Sequence, residues 1–251
     1  MIGLIGYGRF GRLTVANLSP DFQVVVYTRD TQKAADIAAA GGRLVPFAEA
    51  CQQKILILCV PISAMQATLK EIRPHLAPDT LVVDVCSVKV FPVEWMKRLL
   101  PDATHILATH PMFGPDSAAR SLVGHKIVLC PERIQPGKYR KIKAWLEKIG
   151  LLIIETTPVE HDRKIATSLA LTHFIGRGLS ELGVQGMDID TEGYKRLLRI
   201  LEVVSKDTWQ LFEDMHRFNP FAVEQRDAFL NAMAKVSARL DQALAKTQAS
   251  I

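Results

Sequence analysis

Short β-branched runs alternate with amphipathic stretches through residues 1–157, the pattern of βαβ units around a parallel sheet. Strands are predicted at Ile2–Ile5, Gln23–Tyr27, Lys54–Val60, Thr80–Val85, His105–Ala108, Lys126–Leu129 and Leu151–Thr156, with a shorter one at Arg43–Val45. Helices are predicted between them, among them Phe10–Leu18, Thr31–Ala40, Ser63–His75 and Lys138–Ile149. Gly41-Gly42 and Gly150 stand where helix C-termini favour glycine. After Pro158 the period of two vanishes. From His161 onward the periodicity is helical, interrupted at Gly183–Thr191 and around Asn219-Pro220. Tyr194, Leu197, Leu198, Leu201 and Val204 form an apolar stripe, which Trp209, Leu211 and Phe212 extend along the same predicted helix. The expected architecture is α/β: a doubly wound, mostly parallel sheet in residues 1–157, then an all-α domain in 158–251. The helices carry more apolar surface than one sheet domain can cover, which predicts a two-fold homodimer.

Composition narrows the classes. The chain is 48% apolar and 23% charged, ordinary for a globular protein, which excludes disordered and fibrous classes. The net charge of +5 is spread out with no basic run, which points to small anionic ligands and away from nucleic acid. No uninterrupted apolar stretch is long enough to span a membrane. Cys51, Cys59, Cys86 and Cys130 lie far apart without a CxxC pair, so no metal is expected and the thiols suit a reducing compartment. With the first strand beginning at Ile2, no leader is expected either, and the predicted location is cytoplasmic.

The first strand runs directly into Gly6-Tyr7-Gly8-Arg9-Phe10-Gly11, which opens a helix. In that context a GxGxxG is the dinucleotide fingerprint of a Rossmann-type domain. Gly6 permits the tight turn, Gly8 lets a pyrophosphate approach the backbone, and Gly11 lets helix and strand pack closely. The helix N-terminus then offers unpaired amides to the phosphates. Arg9, Phe10 and Val60 are expected beside the same ligand. The second strand selects the cofactor. NAD enzymes carry a carboxylate about 20 residues past the glycines for the ribose hydroxyl. Here the strand ends Tyr27-Thr28-Arg29, where Thr28 can donate to a 2′-phosphate and Arg29 can pair with it, so NADP is expected. Asp30, before Thr31 and a helix, reads as an N-terminal cap.

Two further strand ends should open on the same crevice, because ligands of such sheets bind at the carboxyl ends of the strands. They read Asp84-Val85-Cys86-Ser87-Val88-Lys89 and Thr109-His110-Pro111-Met112-Phe113-Gly114-Pro115. His110, followed by Pro and Gly, is expected in an exposed turn, with a pKa suited to proton transfer near neutral pH.

These two runs resemble the signature of arogenate and prephenate dehydrogenases. The resemblance continues through Glu160-His161-Asp162-Arg163, Leu171-Thr172-His173-Phe174, Thr191–Arg199, Phe218-Asn219-Pro220 and Glu224-Gln225, in order along nearly the whole chain. It is closer to the short arogenate-type members than to the bifunctional ones, which add a mutase or regulatory domain. The resemblance implies that His110 accepts the proton of the substrate's ring hydroxyl while C4 gives a hydride to the nicotinamide. Loss of the ring carboxylate then restores aromaticity. It implies that Ser87 hydrogen-bonds His110 or the hydroxyl, that Arg199 clamps a substrate carboxylate and that His173 lines the same cleft. Many prephenate-using relatives carry a second histidine three residues before the position of His173. Here that residue is Ala170, a departure that favours arogenate.

Several alternatives stay open on the residues alone. Arg199 could be a solvated helix residue and His173 a core histidine. Glu160–Asp162 could hold a metal, but with no partner cluster it reads better as a helix cap. Asp207, eight residues beyond Arg199, is a candidate for the ammonium that distinguishes arogenate from prephenate, expected two turns along a continuous helix. Tyrosine, carrying the same ammonium, would then compete for the site. Rival readings are a prephenate dehydrogenase, another NADP enzyme such as a β-hydroxyacid dehydrogenase or imine reductase, and a non-catalytic NADP-binding redox sensor.

Overall fold

The structure, a computed structural model, describes residues 1–248. Its contacts divide the chain into two units, Met1–His161 and Asp162–Ile251. The first carries β1 (Ile2–Ile5), β2 (Val24–Tyr27), β3 (Gly42–Leu44), β4 (Ile55–Leu58), β5 (Leu81–Asp84), β6 (His105–Pro111), β7 (Lys126–Arg133) and β8 (Leu152–Glu155). They form one sheet in the order β3-β2-β1-β4-β5-β6-β7-β8. Neighbours pair in parallel except β6 and β7, which are antiparallel. Order and direction are those of a Rossmann-type fold, with the reversal of winding between β1 and β4 that creates a ligand crevice. The central strands are apolar on both faces, as a covered parallel sheet requires: Ile2–Ile5 and Leu81–Asp84 are buried at every position.

Helices α1 (Arg9–Leu18), α2 (Ala34–Ala39), α3 (Phe47–Cys51), α4 (Met65–Ile72), α5 (Val90–Leu99) and α6 (Pro136–Lys148) connect the strands. The helix expected over Thr31–Ala40 begins as a 3-10 turn, Thr31–Lys33. Asp30 caps it, its carboxylate accepting from Gln32 N at 3.1 Å. Likewise Ser63–His75 divides into α4 flanked by 3-10 turns, the last of them containing Pro74. Pro92 lies in the first turn of α5, where its missing N–H would have no intrahelical partner.

The second unit is helical. The division falls inside α7 (Pro158–Ile165), which continues through a π-helical turn, Ala166–Ala170, into α8 (Leu171–Glu181). Then come α9 (Glu192–Ser205), α10 (Trp209–Arg217) and α11 (Ala222–Gln248). Gly176 lets α8 and α9 approach closely, since a Cβ there would lie 2.6 Å from Val204 Cγ2. One expectation fails here. The helix after Arg199 does not run on to Phe212 but stops at Ser205. Thr208 starts the next helix by accepting from Leu211 N at 3.2 Å. The apolar stripe survives the break, and the hydroxyl cap overrides its continuity. Among the described residues no helix is long and apolar enough to cross a membrane.

Candidate functional site

Register brings the strand ends of the first unit into one row. Ile5 pairs with Tyr27 and Leu58, Leu58 with Asp84, and Asp84 with Ala108. The residues that follow, Gly6, Thr28, Cys59, Val85 and Thr109, therefore emerge together at the carboxyl edge. Just beyond them come Gly8, Arg29, Val60, Ser87 and His110.

The three glycines meet three different constraints. Gly6 has φ +96°, and a Cβ on it would lie 2.3 Å from the Cys59 carbonyl oxygen. Val60 Cγ1 flanks the same position at 3.3 Å. A Cβ on Gly11 would lie 2.4 Å from Gly6 O, so α1 can pack on the turn only through glycine. Gly8, by contrast, faces open space, with nothing within 4 Å of its Cβ position. It also begins α1 without any side-chain cap, leaving first-turn amides pointing at that space. This is the cradle a pyrophosphate requires, and the residues fit a dinucleotide.

Around the cradle, Phe10 packs on Phe113 with ring centroids 6.2 Å apart. Arg9 pairs with Asp116 at 2.7 Å, both half exposed. Thr28 Oγ1 accepts from Asp30 N at 3.4 Å, which leaves its hydroxyl proton to donate. Arg29 is exposed.

His110 is not in an exposed turn. β6 runs three residues past the expected end because antiparallel β7 continues the ladder, pairing His110 with Val128 and Pro111 with Ile127. The ring is buried, 6% exposed, and its Nδ1 lies 2.9 Å from His161 Nε2. Burial, with His161 and the Lys89 ammonium adding to it, holds the imidazole well below the ordinary histidine pKa. It is therefore neutral at neutral pH, the form that can accept a proton. The bond expected from Ser87 to His110 is not made. Ser87 Oγ is buried without a hydrogen-bond partner, an unsatisfied group beside the row of strand ends.

Three residues matter to which the sequence motifs assigned no part in the reaction. Lys89 is fully buried and pairs with Asp84, also fully buried, and its Nζ donates to Thr109 O at 2.6 Å. Asp84 in turn accepts from Cys86 N at 3.0 Å and Thr109 N at 3.3 Å, and Thr109 Oγ1 donates to Asp84 O at 2.6 Å. This network ties the β5 end, which carries Ser87, to the β6 end, which carries His110. A lysine closing an apolar strand end was its visible signal. The third is His161. The run Glu160–Asp162 lies in the first turns of a helix that Thr157 caps, accepting from Glu160 N at 3.2 Å. Among the described residues no group of three His, Cys, Asp or Glu is arranged to hold a metal.

In the helical unit, His173 and Asp207 come together, Nε2 to Oδ2 at 3.7 Å. Asp207 is not two turns along the helix of Arg199 but in the break after it, its carbonyl accepting from Arg177 Nη2 at 2.5 Å. His173 is buried, and burial outweighs the opposing pull of Asp207, so its pKa is lowered. The imidazole beside Asp207 is thus held toward its neutral form. Arg199 is exposed on α9. Asn219 is a structural residue: Nδ2 donates to Asp162 O at 2.8 Å and Oδ1 accepts from Phe221 N at 2.9 Å.

Comparison with known proteins is consistent with this geometry. Residues 19–155 match the family described as prephenate dehydrogenase, nucleotide-binding domain. The chain is 32% identical over 248 residues to arogenate dehydrogenase 1, chloroplastic, of Arabidopsis thaliana, covering 95% of this chain and 39% of the relative. To arogenate dehydrogenase 2, chloroplastic, of the same plant it is 32% identical over 255 residues, covering 96% and 71%. Its fold is that of prephenate dehydrogenase from A. aeolicus, solved with hydroxyphenyl propionate and NAD+, at TM-score 0.74 and 20% identity over 95% of this chain and 91% of that one. Fingerprint, strand-end histidine and relatives agree, and the chain belongs to the prephenate dehydrogenase family.

Proposed function

We propose that this protein oxidises arogenate to tyrosine, with decarboxylation and with NADP as hydride acceptor, in aromatic amino acid biosynthesis. The observation that carries this reading is His110, buried and neutral in the row of strand ends that holds the glycine cradle. In this reading His110 takes the ring hydroxyl proton and Ser87, whose Oγ lacks a partner, hydrogen-bonds that hydroxyl. In the helical unit, Arg199 holds a substrate carboxylate through its planar fork, and His173 is the other substrate contact we assign there. The dinucleotide, when bound, supplies the hydride acceptor. Gly6, Gly8 and Gly11 admit its pyrophosphate, flanked by Arg9, Phe10 and Val60. Turnover with arogenate and with prephenate, each with NADP and NAD, tests the proposal, and turnover of neither acid rejects it.

The choice of NADP rests on Thr28 and Arg29, exposed or half-exposed where a carboxylate would otherwise receive the ribose hydroxyl. Arg29→Ala removes one charge-assisted phosphate contact, on the order of 1.5–3 kcal/mol. The KM for NADP should rise roughly 10-fold to 150-fold on that basis, with the KM for NAD nearly unchanged. A native preference for NAD would refute the assignment.

Arogenate is favoured over prephenate by Ala170 and by the Asp207 carboxylate beside buried His173. The two acids differ in a side-chain ammonium against a keto group. The ratio of kcat/KM for arogenate to that for prephenate is therefore expected above one and reduced in Asp207→Asn. A native ratio below one would make prephenate the substrate; an unchanged ratio in the variant would clear Asp207. Product tyrosine carries the same ammonium and is expected to compete.

The helical unit exposes Val223, Leu230, Met233, Val236, Leu240 and Leu244 along α11. A surface of this kind supports a two-fold homodimer. Light scattering at micromolar concentration should give twice the chain mass, and a stable monomer would refute it. None of the four cysteines is in a disulfide, which suits a reducing, cytoplasmic setting.

A further inference from the structure

A histidine base works through one ring nitrogen, and which one is free depends on what the other is doing. His110 Nδ1 and His161 Nε2 are 2.9 Å apart, with ring planes at 75° and centroids 5.1 Å apart. Both imidazoles are buried. A bond between two imidazole nitrogens needs one to donate and the other to accept, so only two arrangements exist. If His161 donates, the remaining proton of His110 sits on Nε2, and no lone pair is left for a substrate. If His161 accepts, His110 carries its proton on Nδ1 and presents an unprotonated Nε2.

We propose that His161 is the positioning residue of the reaction: its Nε2 accepts the Nδ1 proton of His110 and holds that ring in its base-competent tautomer. The inference rests on His110 being the base, as proposed above. In the reacting step the hydroxyl O–H bond breaks and an N–H bond forms at His110 Nε2. The Nδ1–H bond stays intact throughout, and His161 gains no proton. His161 stabilises the resulting imidazolium, because its lone pair faces the donor on which positive charge develops. The charged and titratable groups facing His110 are His161, from α7, and Lys89 with its partner Asp84, from the β5 end. From β7 the cross-strand neighbour is uncharged Val128. His161 is itself fixed by α7, its backbone N donating to Thr157 O at 2.9 Å.

The arrangement is tested with His161→Leu, which removes the acceptor, and His161→Gln, whose amide oxygen can replace it. His161→Leu should lower kcat about 10-fold to 100-fold with KM and dinucleotide affinity within about two-fold of native. His161→Gln should recover most of that loss, a rescue that bulk packing alone would not give. Nitrogen-15 spectra of histidine-labelled protein read the tautomer without any turnover. Native His110 should show Nδ1–H, kept in His161→Gln and lost in His161→Leu. If His161→Leu does not fold, His161→Asn, too short to reach, takes its place. A native Nε2–H tautomer, or native kcat in the variant lacking the acceptor, would overturn the proposal. Should the native chain oxidise neither arogenate nor prephenate, the functional reading fails, while the spectra still decide the pairing.

Discussion

His110→Ala is expected to lose about 10²–10⁴-fold in kcat while binding the dinucleotide as tightly as the native protein. In the mechanism proposed above the base acts on the hydroxyl proton in the transition state, and the phosphate site assigned there is elsewhere, on the cradle at Gly8. A loss confined to KM would mean that the ring only lines the pocket. The pH profile adds a second constraint. A base is active when unprotonated, and burial, His161 and Lys89 all disfavour the imidazolium of His110. Its folded pKa is lowered, so the ring stays competent as pH falls through the ordinary histidine range of about 6.5. The acid limb of kcat/KM should therefore lie below that value and vanish in His110→Ala. A near-native kcat in the variant would end the assignment of His110 as base.

Much of the first unit was legible because local chemistry and register agree there. Each strand is a short β-branched run bounded by turn residues. The glycine turn follows β1 directly, and parallel register carries Thr28, Ser87 and His110 to the same edge. The environment of His110 was not legible, because its partner is far away in sequence. Pro111-Met112-Phe113-Gly114 reads locally as a turn, yet β7 supplies ladder partners that keep residues 109–111 extended. His161 lies 51 positions further on, where Glu160–Asp162 reads as a helix start. The break at Asp207 failed for another reason. The stripe from Tyr194 to Phe212 keeps its period across the break, so hydrophobic spacing alone continues the helix. Thr208 was the overlooked signal, a hydroxyl three residues before Leu211 whose Oγ1 accepts from Leu211 N. Moving Asp207 off the helix of Arg199 changes its neighbours. It faces His173 from a helix junction, so two residues assigned to the substrate on separate grounds prove to be adjacent.

Lys89→Met is expected to be the most destabilising conservative change in the first unit. The native side chain is wholly buried, its ammonium shared between the Asp84 carboxylate and Thr109 O. Methionine fits a similar volume but leaves the carboxylate buried without its counter-ion. Removing one partner of a buried pair typically costs about 3–5 kcal/mol, more than the intact pair contributes over an apolar replacement. Two amides, Cys86 N and Thr109 N, still donate to Asp84, which favours the lower end. At about 3 kcal/mol the melting temperature should fall by roughly 6–12 °C for a domain of this size. Arg43→Met is the control, since the Arg43–Glu49 pair has similar chemistry at 2.7 Å but is largely solvated, and its loss should barely move the transition. Asp84→Leu would not rescue Lys89→Met, because it strands the two amides as well. Thermal and urea unfolding of the single and double variants measures all three expectations. If Lys89→Met melted with the Arg43→Met control, the buried pair would not be what joins the β5 and β6 ends, and the alignment of Ser87 with His110 would have to rest on strand pairing alone.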